Sequence, residues 1–479
     1  MATNSPLQAI NIVALSCAMK MLTLNEKLYR STDFEVHRNW LSITHSLPFS
    51  QWYIEARNHW TLDYPPFFAY FERLLAFFGQ FIDSGMVNVN NLNYASSGTV
   101  IFQRITVIFV SDIILAVGVY MILPPAQRVR GLILTLFSSS LILVDHIHFQ
   151  YNGMMLGLLL ISAALIQSGK FYSGAAVYIV LIFSKHIFLY CAPVYLVYFM
   201  RNLVLASKND SERNMRFVKL VGIVLTISAV AIVPLALTGQ LNAALMRMFP
   251  FGRGLAHYYW APNVWAIYLT IDRVLGKFIG VAVPANVNAN RVLPEVSPAV
   301  CSVLTLLAYL PLVMHLWKHN SKKISFVGYL GLGNAIAFMF GYHVHEKAIL
   351  MVLVPLIMNR LIQGGDATNE WWLSHASFVS CVTLLPKDLL IVLGVTMWVA
   401  GFLIDSLALN VNASKNSRLM CFVAAPIVYD WIFGKKWIPG LAKWESSVLI
   451  FYSVTSFCVF VRILRDIVRE VNNRSTKQL

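Results

Sequence analysis

The sequence predicts an all-α polytopic membrane protein with about 14 transmembrane helices and two long connecting loops. Of its 479 residues, 58% are apolar and only 12% are charged, a composition more apolar than a soluble protein of this length would use. The apolar residues form continuous runs, whereas the strands of a membrane barrel alternate apolar and polar residues. Backbone groups inside a bilayer must pair within their own segment, so these runs are expected to be helices.

The predicted spans begin close to the N-terminus. The first run, at residues 7–25, contains Asn11 and Lys20 and lacks a small-residue cleavage site, which favours a retained span over a removed signal peptide. The runs predict an N-terminal transmembrane module at residues 1–238, a second long loop at 239–297 and a C-terminal transmembrane module at 298–479. The predicted spans cover residues 7–25, 100–123, 131–144, 153–168, 171–184, 187–204, 217–238, 298–317, 324–342, 347–363, 371–385, 388–408, 417–433 and 445–462.

The basic residues give the chain a formal net charge of +15, but they lie in short connections between apolar runs. This pattern favours orientation signals in a membrane over nucleic-acid binding. With a cytosolic N-terminus, most basic connections and the C-terminal tail are cytosolic, and Lys435 and Lys436 are exceptions. The two long loops, residues 26–99 and 239–297, then lie on the opposite, lumenal face.

Three acceptor patterns for N-glycosylation bear on this orientation. They begin at Asn209, Asn412 and Asn473, all in segments predicted to be cytosolic. These three sites are therefore expected to stay unmodified.

Four polar clusters fall at lumenal ends of the apolar runs, at residues 31–37, 63–66, 145–152 and 343–347. Convergence of polar residues on one side of the membrane predicts an active site. The competing class is a transporter in which Asp112, Lys185 and histidines relay ions. Most ionisable residues lie at lumenal ends rather than in the middle of spans, and paired broken helices are not evident, so an enzyme is favoured.

The first two clusters each leave two interpretations open. Thr32 and Glu35 fit a capping box, which makes Asp33 either a first-turn acid favoured by the helix dipole or a general base. In the second cluster, Asp63 and Tyr64 precede two prolines that fix the local backbone. That segment predicts either a stiff loop or a wall of a substrate site.

The two histidine-rich clusters could bind metal or an anion. Histidines two positions apart do not share a helix face, so a metal site would need an extended loop. Lys347 beside His345 suits anion binding better, because an ammonium and an imidazole can both donate to phosphate oxygens. The candidate residues in these clusters are Asp145, His146, His148, Gln150, His343, His345, Glu346 and Lys347.

The second long loop contains Arg253 between two glycines, followed by an aromatic run at residues 257–265. Aromatic residues of this kind often form a belt at the membrane interface. The glycines would also let a phosphate approach the backbone while the Arg253 guanidinium binds it. Nearby aromatic faces would suit sugar rings or a lipid chain.

At these residues the sequence resembles the endoplasmic-reticulum glucosyltransferases that use dolichyl-phosphate glucose and have the multi-span GT-C fold. The resemblance extends over most of the chain and thins toward the C-terminus. It matches the branch that adds the second glucose to the lipid-linked oligosaccharide, since the first-glucose branch typically has Gln where His343 stands. The first-glucose reaction remains the alternative. The matching stretches are Ser-Thr-Asp-Phe-Glu-Val-His-Arg-Asn-Trp at 31–40, Trp-Thr-Leu-Asp-Tyr-Pro-Pro at 60–66, Asp-His-Ile-His-Phe-Gln-Tyr-Asn at 145–152 and His-Val-His-Glu-Lys at 343–347.

The resemblance implies α-1,3 glucosyl transfer with inversion, from dolichyl-phosphate glucose to a monoglucosylated Man9GlcNAc2 oligosaccharide on dolichyl pyrophosphate. It implies an enzyme of the endoplasmic reticulum membrane with a lumenal site, cytosolic termini, and no metal, other cofactor or nucleic acid. Asp33 is expected to be the base, and His345, helped by Lys347 and Arg253, to stabilise the leaving phosphate. Other expected substrate contacts are Glu35, His37, Asp63, Tyr64, Asp145, His146, His148, Gln150, His343 and Glu346.

Overall fold

The structure, a computed structural model, describes residues 6–24, 29–257, 260–281, 292–318, 324–386, 389, 393–411, 454 and 456–469. The regular elements within these residues are helices. The α-helices of the first half are α1 Pro6–Lys20, α2 Thr32–Ser46, α3 Pro66–Gly79, α4 Ser97–Thr106, α5 Asp112–Ile122, α6 Arg128–Leu136, α7 Ser139–Leu141, α8 Asn152–Gln167, α9 Phe171–Ile182, α10 Ala192–Phe199 and α11 Asp210–Leu237. Those that follow are α12 Leu241–Met248, α13 Val264–Phe278, α14 Pro298–Lys318, α15 Phe326–Phe340, α16 Leu350–Gln363, α17 Thr368–Cys381 and α18 Val395–Leu409.

The chain divides into two compact units. The N-terminal unit comprises Met1–Leu136 and Val144–Pro250, and the C-terminal unit comprises Phe137–Leu143 and Phe251–Leu479. Three of the polar clusters, at residues 31–37, 63–66 and 145–152, belong to the N-terminal unit, and residues 343–347 belong to the C-terminal unit. The predicted division at residues 238 and 297 stays a prediction.

Several helices in the described part of the chain are long and apolar enough to cross a membrane. There are five such segments, Pro6–Leu24, Ser97–Ile122, His186–Val204, Asp210–Leu237 and Pro298–Lys318, and a bent pair, Pro125–Leu136 with Ser139–Ile147, makes six. Four shorter apolar helices, α8, α9, α15 and α18, add to them. The expected class, a polytopic helical membrane protein, is confirmed, whereas the number fourteen stays a prediction. The predicted span 417–433 and the first residues of 445–462 lie outside the described residues.

Glycines bring α5 and α8 into close contact within the N-terminal unit. A Cβ added at Gly157 would lie 2.5 Å from backbone atoms of Ile114, and one at Gly118 would lie 2.6 Å from the Gly157 carbonyl oxygen. Small residues allow this approach and are typical of helix pairs inside membranes. The pair fixes the start of α8, where the 145–152 cluster ends.

The long loop predicted at residues 26–99 contains two helices, α2 and α3. The prediction that Thr32 begins a capping box is wrong by one residue. Ser31, with an extended backbone at φ −75° and ψ 171°, is the N-cap of α2, and its hydroxyl accepts the Phe34 N–H at 3.4 Å. Thr32 is therefore the first helical residue, and Asp33 lies in the first turn.

Candidate active site

Asp33 projects from the first turn of α2 with its side chain one-fifth exposed (20%). Its Oδ2 atom accepts a hydrogen bond from Gln150 Nε2 at 2.6 Å and lies 3.3 Å from His148 Nε2. The Ser31 hydroxyl also donates to the His148 carbonyl oxygen, which ties the start of α2 to the 145–152 segment. The structure therefore brings the first and third clusters together at a partly exposed carboxylate.

Asp145 organises the third cluster from within. It is fully buried, and its Oδ1 accepts the backbone N–H of Asn152 at 3.0 Å and the Asn152 side-chain amide at 2.9 Å. Its Oδ2 accepts the Gly153 N–H at 2.7 Å. These contacts hold Asp145 at the N-terminus of α8, where a carboxylate is favoured by the helix dipole. We therefore assign it a structural role, with no side-chain surface for substrate.

A cation completes the polar group around Asp33. Lys185 Nζ donates to Asn152 Oδ1 at 2.8 Å and lies 5.2 Å from the centre of the Tyr64 ring. Asn152 Nδ2 in turn donates to Gln150 Oε1 at 2.9 Å. Lys185 thus belongs to the same hydrogen-bonded group as Asp33, although it is 152 positions away in sequence.

The aromatic rings of His37 and Tyr64 pack against each other and connect the first two clusters. The two rings lie 6.3 Å apart edge to face, and His37 Nδ1 and Glu72 Oε1 share a hydrogen bond at 2.7 Å. Burial raises the pKa of the Tyr64 hydroxyl well above its ordinary value, and the charges of Asp63, Asp33, Asp145 and Glu72 act in the same direction. Tyr64 therefore stays a neutral hydroxyl at physiological pH.

Glu35 points away from Asp33 into a buried network. Its carboxylate accepts from Arg38 Nη2 at 2.6 Å and Nε at 2.8 Å, in the forked geometry that suits guanidinium and carboxylate groups. It also accepts the Asn93 backbone N–H at 2.9 Å. These contacts favour a role in fixing the loop after α3.

His146 and His148 are directed to different surroundings. His146 lies 3.3 Å from Asp112 Oδ1, and Lys20 Nζ donates to the other oxygen of Asp112 at 2.6 Å, in a fully buried group. A π-helical segment, Ile142–Ile147, ends between the two histidines. Phe149, directly after His148, adopts φ +79°. The structure therefore places His146 apart from Asp33 and leaves His148 beside it.

Asp63 lies half-buried near Arg247 of α12. Burial lowers the pKa of Arg247, and the charges of Asp63 and Glu55 oppose that shift. The guanidinium also donates to the Glu55 carbonyl oxygen at 2.9 Å. The charge of Asp63 thus favours the charged form of a basic side chain from the second long loop.

In the C-terminal unit, His343 holds the loop that follows Arg253. Its backbone N–H donates to the Leu255 carbonyl oxygen at 2.8 Å, and its Nδ1 bonds the Gly254 carbonyl oxygen at 2.9 Å. A carbonyl oxygen only accepts, so Nδ1 carries the proton. Both His343 and Gly254 have positive φ, at +53° and +92°, which Gly254 adopts without cost.

His257, His345 and Glu346 form a compact group beside His343. The rings of His257 and His345 stack with centres 3.7 Å apart, and His257 Nδ1 donates to Glu346 Oε2 at 3.2 Å. Burial alone would raise the pKa of Glu346, but the hydrogen bond from His257 and the charges of His257 and Lys347 outweigh it, so the pKa lies below its ordinary value. Glu346 is therefore ionised at physiological pH and places a negative charge in this group.

This group also contains a set of three potential metal ligands. One ligand atom from each of His257, His345 and Glu346 lies within 4.8 Å of the others. The set takes His345 and Glu346 from the predicted cluster at residues 343–347 and His257 from the second long loop. Metal-free chemistry at this site stays a prediction.

Three residues of these groups were not identified as site residues from the sequence. Asn152 belongs to the third cluster, whereas the sequence suggests Lys185 only as part of an ion relay and places His257 in an aromatic run. For Lys185 a signal was present, because a lysine in a predicted lumenal turn departs from the positive-inside pattern. The meeting of the C-terminal cluster with the other three stays a prediction.

The chain is similar to known glycosyltransferases. A family model described as the ALG6, ALG8 glycosyltransferase family matches residues 16–471. The mouse protein named dolichyl pyrophosphate Glc1Man9GlcNAc2 alpha-1,3-glucosyltransferase is 41% identical over 394 residues, which cover 74% of each chain. A Drosophila melanogaster protein with the same name, marked probable, is 41% identical over 392 residues, 78% of this chain and 76% of the relative. An Arabidopsis thaliana protein of that name is 39% identical over 420 residues, 81% of each chain.

Proposed function

The chain belongs to the ALG6, ALG8 glycosyltransferase family, and from that premise we propose that it transfers glucose in α-1,3 linkage to monoglucosylated Man9GlcNAc2 on dolichyl pyrophosphate. It is a glycosyltransferase enzyme, and the names of its relatives support this acceptor. The proposed donor is dolichyl-phosphate glucose. The proposed place is the endoplasmic reticulum membrane, with a lumenal site and cytosolic termini.

The proposed reaction is one displacement with inversion. The 3-hydroxyl oxygen of the acceptor glucose attacks the anomeric carbon of the β-linked donor, and the bond from that carbon to the phosphate oxygen breaks. The hydroxyl proton passes to a base, and dolichyl phosphate leaves with the bonding electrons. The protein must therefore supply a base and positive charge for the departing phosphate.

The surroundings of Asp33 are the observation that carries this proposal. The carboxylate is partly exposed, and Gln150 donates to one of its oxygens at 2.6 Å. Hydrogen bonding to the ionised form favours a carboxylate ready to accept a proton. His148 Nε2 lies 3.3 Å from the same oxygen, and the neutral hydroxyl of Tyr64 belongs to the polar cluster at residues 63–66.

The residues proposed to stabilise the leaving phosphate lie in the C-terminal unit. His345 stacks on His257, which donates to the buried carboxylate of Glu346, so the His345 ring is held in place and a ring N–H can donate to a phosphate oxygen. Lys347 supplies a cation, and Arg253 is exposed in the loop held by His343. An arginine and a lysine are both suited to phosphate, the first as a fork and the second as a point charge.

The proposed reaction is tested by glucose transfer with purified protein and two acceptors. Dolichyl-phosphate glucose is supplied with Man9GlcNAc2 on dolichyl pyrophosphate carrying either no glucose or one. We expect transfer to the monoglucosylated acceptor, an α-1,3 product linkage, and no transfer when UDP-glucose replaces the donor. Transfer only to the acceptor without glucose would instead support the first-glucose reaction and contradict the proposal.

A further inference from the structure

We propose that Lys185 is a positioning residue that fixes the Asp33 carboxylate through Asn152 and Gln150. This inference rests on the proposed function, because it treats Asp33 as the base. Three successive hydrogen bonds carry it: Lys185 Nζ to Asn152 Oδ1 at 2.8 Å, Asn152 Nδ2 to Gln150 Oε1 at 2.9 Å, and Gln150 Nε2 to Asp33 Oδ2 at 2.6 Å. We call this series the Lys185 relay.

The two ends of the Lys185 relay determine the direction of every bond between them. An ammonium only donates, and an ionised carboxylate only accepts. Asn152 must therefore turn its oxygen to Lys185 and its amide hydrogens to Gln150. Gln150 must then turn its own amide hydrogens to Asp33, which leaves one arrangement of two otherwise reversible amides.

Removing the cation would weaken this constraint. Without Lys185, the Asn152 oxygen loses its charged donor, and the side chain can pivot about its remaining bond to Asp145 and withdraw from Gln150, whose amide can then reverse. A reversed Gln150 would place Oε1 against the Asp33 carboxylate, so the two acceptors would repel and the carboxylate would move. A displacement of the order of 1 Å in a reacting group costs about a hundredfold in rate.

The surroundings of the Lys185 relay favour positioning over contact with substrate phosphate. Asn152 also donates to buried Asp145 at 2.9 Å, so the middle of the relay is fixed to the start of α8. The Lys185 ammonium lies 5.2 Å from the centre of the Tyr64 ring, a distance at which the ring face attracts a cation. The ammonium is thus held by an amide oxygen and an aromatic face of the protein itself.

A double-mutant cycle distinguishes a relay from independent roles. The variants are Lys185→Met, Gln150→Met and the two together, with kcat and both KM values measured for the proposed transfer reaction. We expect each single change to lower kcat by about tenfold to a hundredfold with KM within about twofold of the parent. The double variant should be no more than about twofold slower than the slower single variant, because both changes break one relay.

Three further variants complete the experiment. Lys185→Arg keeps a charged donor and should retain most of the rate, whereas Lys170→Met removes an exposed lysine and should match the parent. If Lys185→Met does not fold, Lys185→Gln, a neutral donor, takes its place in the cycle with a smaller expected loss.

The outcomes separate this inference from the proposed function. Losses that multiply in the double variant, or a raised KM with unchanged kcat, would show that Lys185 acts independently of Gln150 and would overturn the relay. A parent that transfers no glucose to either acceptor would overturn the proposed function, and the relay with it.

Discussion

At the scale of single residues, the proton on His343 is determined by its hydrogen bond to the Gly254 carbonyl oxygen. Burial lowers the pKa of His343 from its ordinary value of 6.5, and the charges of His257 and Arg253 act in the same direction. The folded state therefore keeps a neutral ring that the unfolded state would protonate near pH 6.5. As the pH falls through this range the unfolded state binds more protons, so this residue makes the protein less stable in acid.

We predict that His343→Gln reduces the loss of thermal stability between pH 7.5 and pH 5.5. The glutamine amide can still donate to the Gly254 carbonyl oxygen, but it does not titrate. The measurement is the unfolding midpoint of detergent-purified protein across that pH range. His59→Gln changes an exposed histidine, and its unfolding midpoint should change with pH as much as that of the parent. An unfolding midpoint of His343→Gln that falls as much as the parental one would contradict the prediction.

At the scale of elements, the N-terminus of α2 and the 145–152 segment form one supporting structure for Asp33. Ser31 caps α2 and also donates to the His148 carbonyl oxygen, so one hydroxyl serves both segments. Gln150 then bonds Asp33 from the second segment to the first. The position of the proposed base depends on this junction as well as on its own helix.

We predict that Ser31→Ala lowers both stability and activity. Loss of an N-cap costs about 1 kcal/mol, and the lost bond to His148 adds to it. The matched control is Ser325→Ala, since Ser325 caps α15 and also donates to Asn359 Oδ1 at 2.9 Å. Both variants should lower the unfolding midpoint, but only Ser31→Ala should lower kcat, and equal effects on kcat would contradict the prediction.

The same elements explain which parts of the site the sequence could predict. Residue type alone picked out the polar clusters, and the sequence also indicated a helix start near Asp33. Residue type and position in sequence could not give the direction of a side chain within an irregular turn, as His146 and His148 demonstrate. The left-handed backbone of Phe149, unusual for a residue with a Cβ, comes from packing and not from a local sequence signal.

At the scale of the whole molecule, the class of the protein followed from composition because a bilayer imposes long apolar helices. The contacts within the candidate site could not be predicted from composition. Lys185 meets Asn152 across 33 positions and His257 meets Glu346 across 89, and no local periodicity encodes such pairs. Resemblance to a family indicated the proposed reaction, whereas the Lys185 relay follows only from the folded structure.

We predict from the proposed orientation of the chain that Asn209 carries no N-glycan, because its connection is expected to be cytosolic. A positive control can be built in the first long loop, where Asn90→Thr creates an acceptor pattern at exposed Asn88. Glycosidase treatment should shift the gel mobility of the Asn90→Thr variant and leave the parent unchanged. A glycosidase-sensitive parent whose modification maps to Asn209 would contradict the proposed orientation.

The central claim is that Asp33 is the base for glucose transfer, and the most direct measurement is the single-turnover rate of Asp33→Asn with a monoglucosylated acceptor. Asp210→Asn is the matched control, because Asp210 is also an acidic residue in the first turn of a helix. Its side chain is exposed, and it is far in sequence from any of the polar clusters. We predict that Asp33→Asn, folded as judged by its unfolding midpoint, loses about a hundredfold to ten-thousandfold in rate, whereas Asp210→Asn matches the parent. A folded Asp33→Asn variant with the parental rate would contradict the claim.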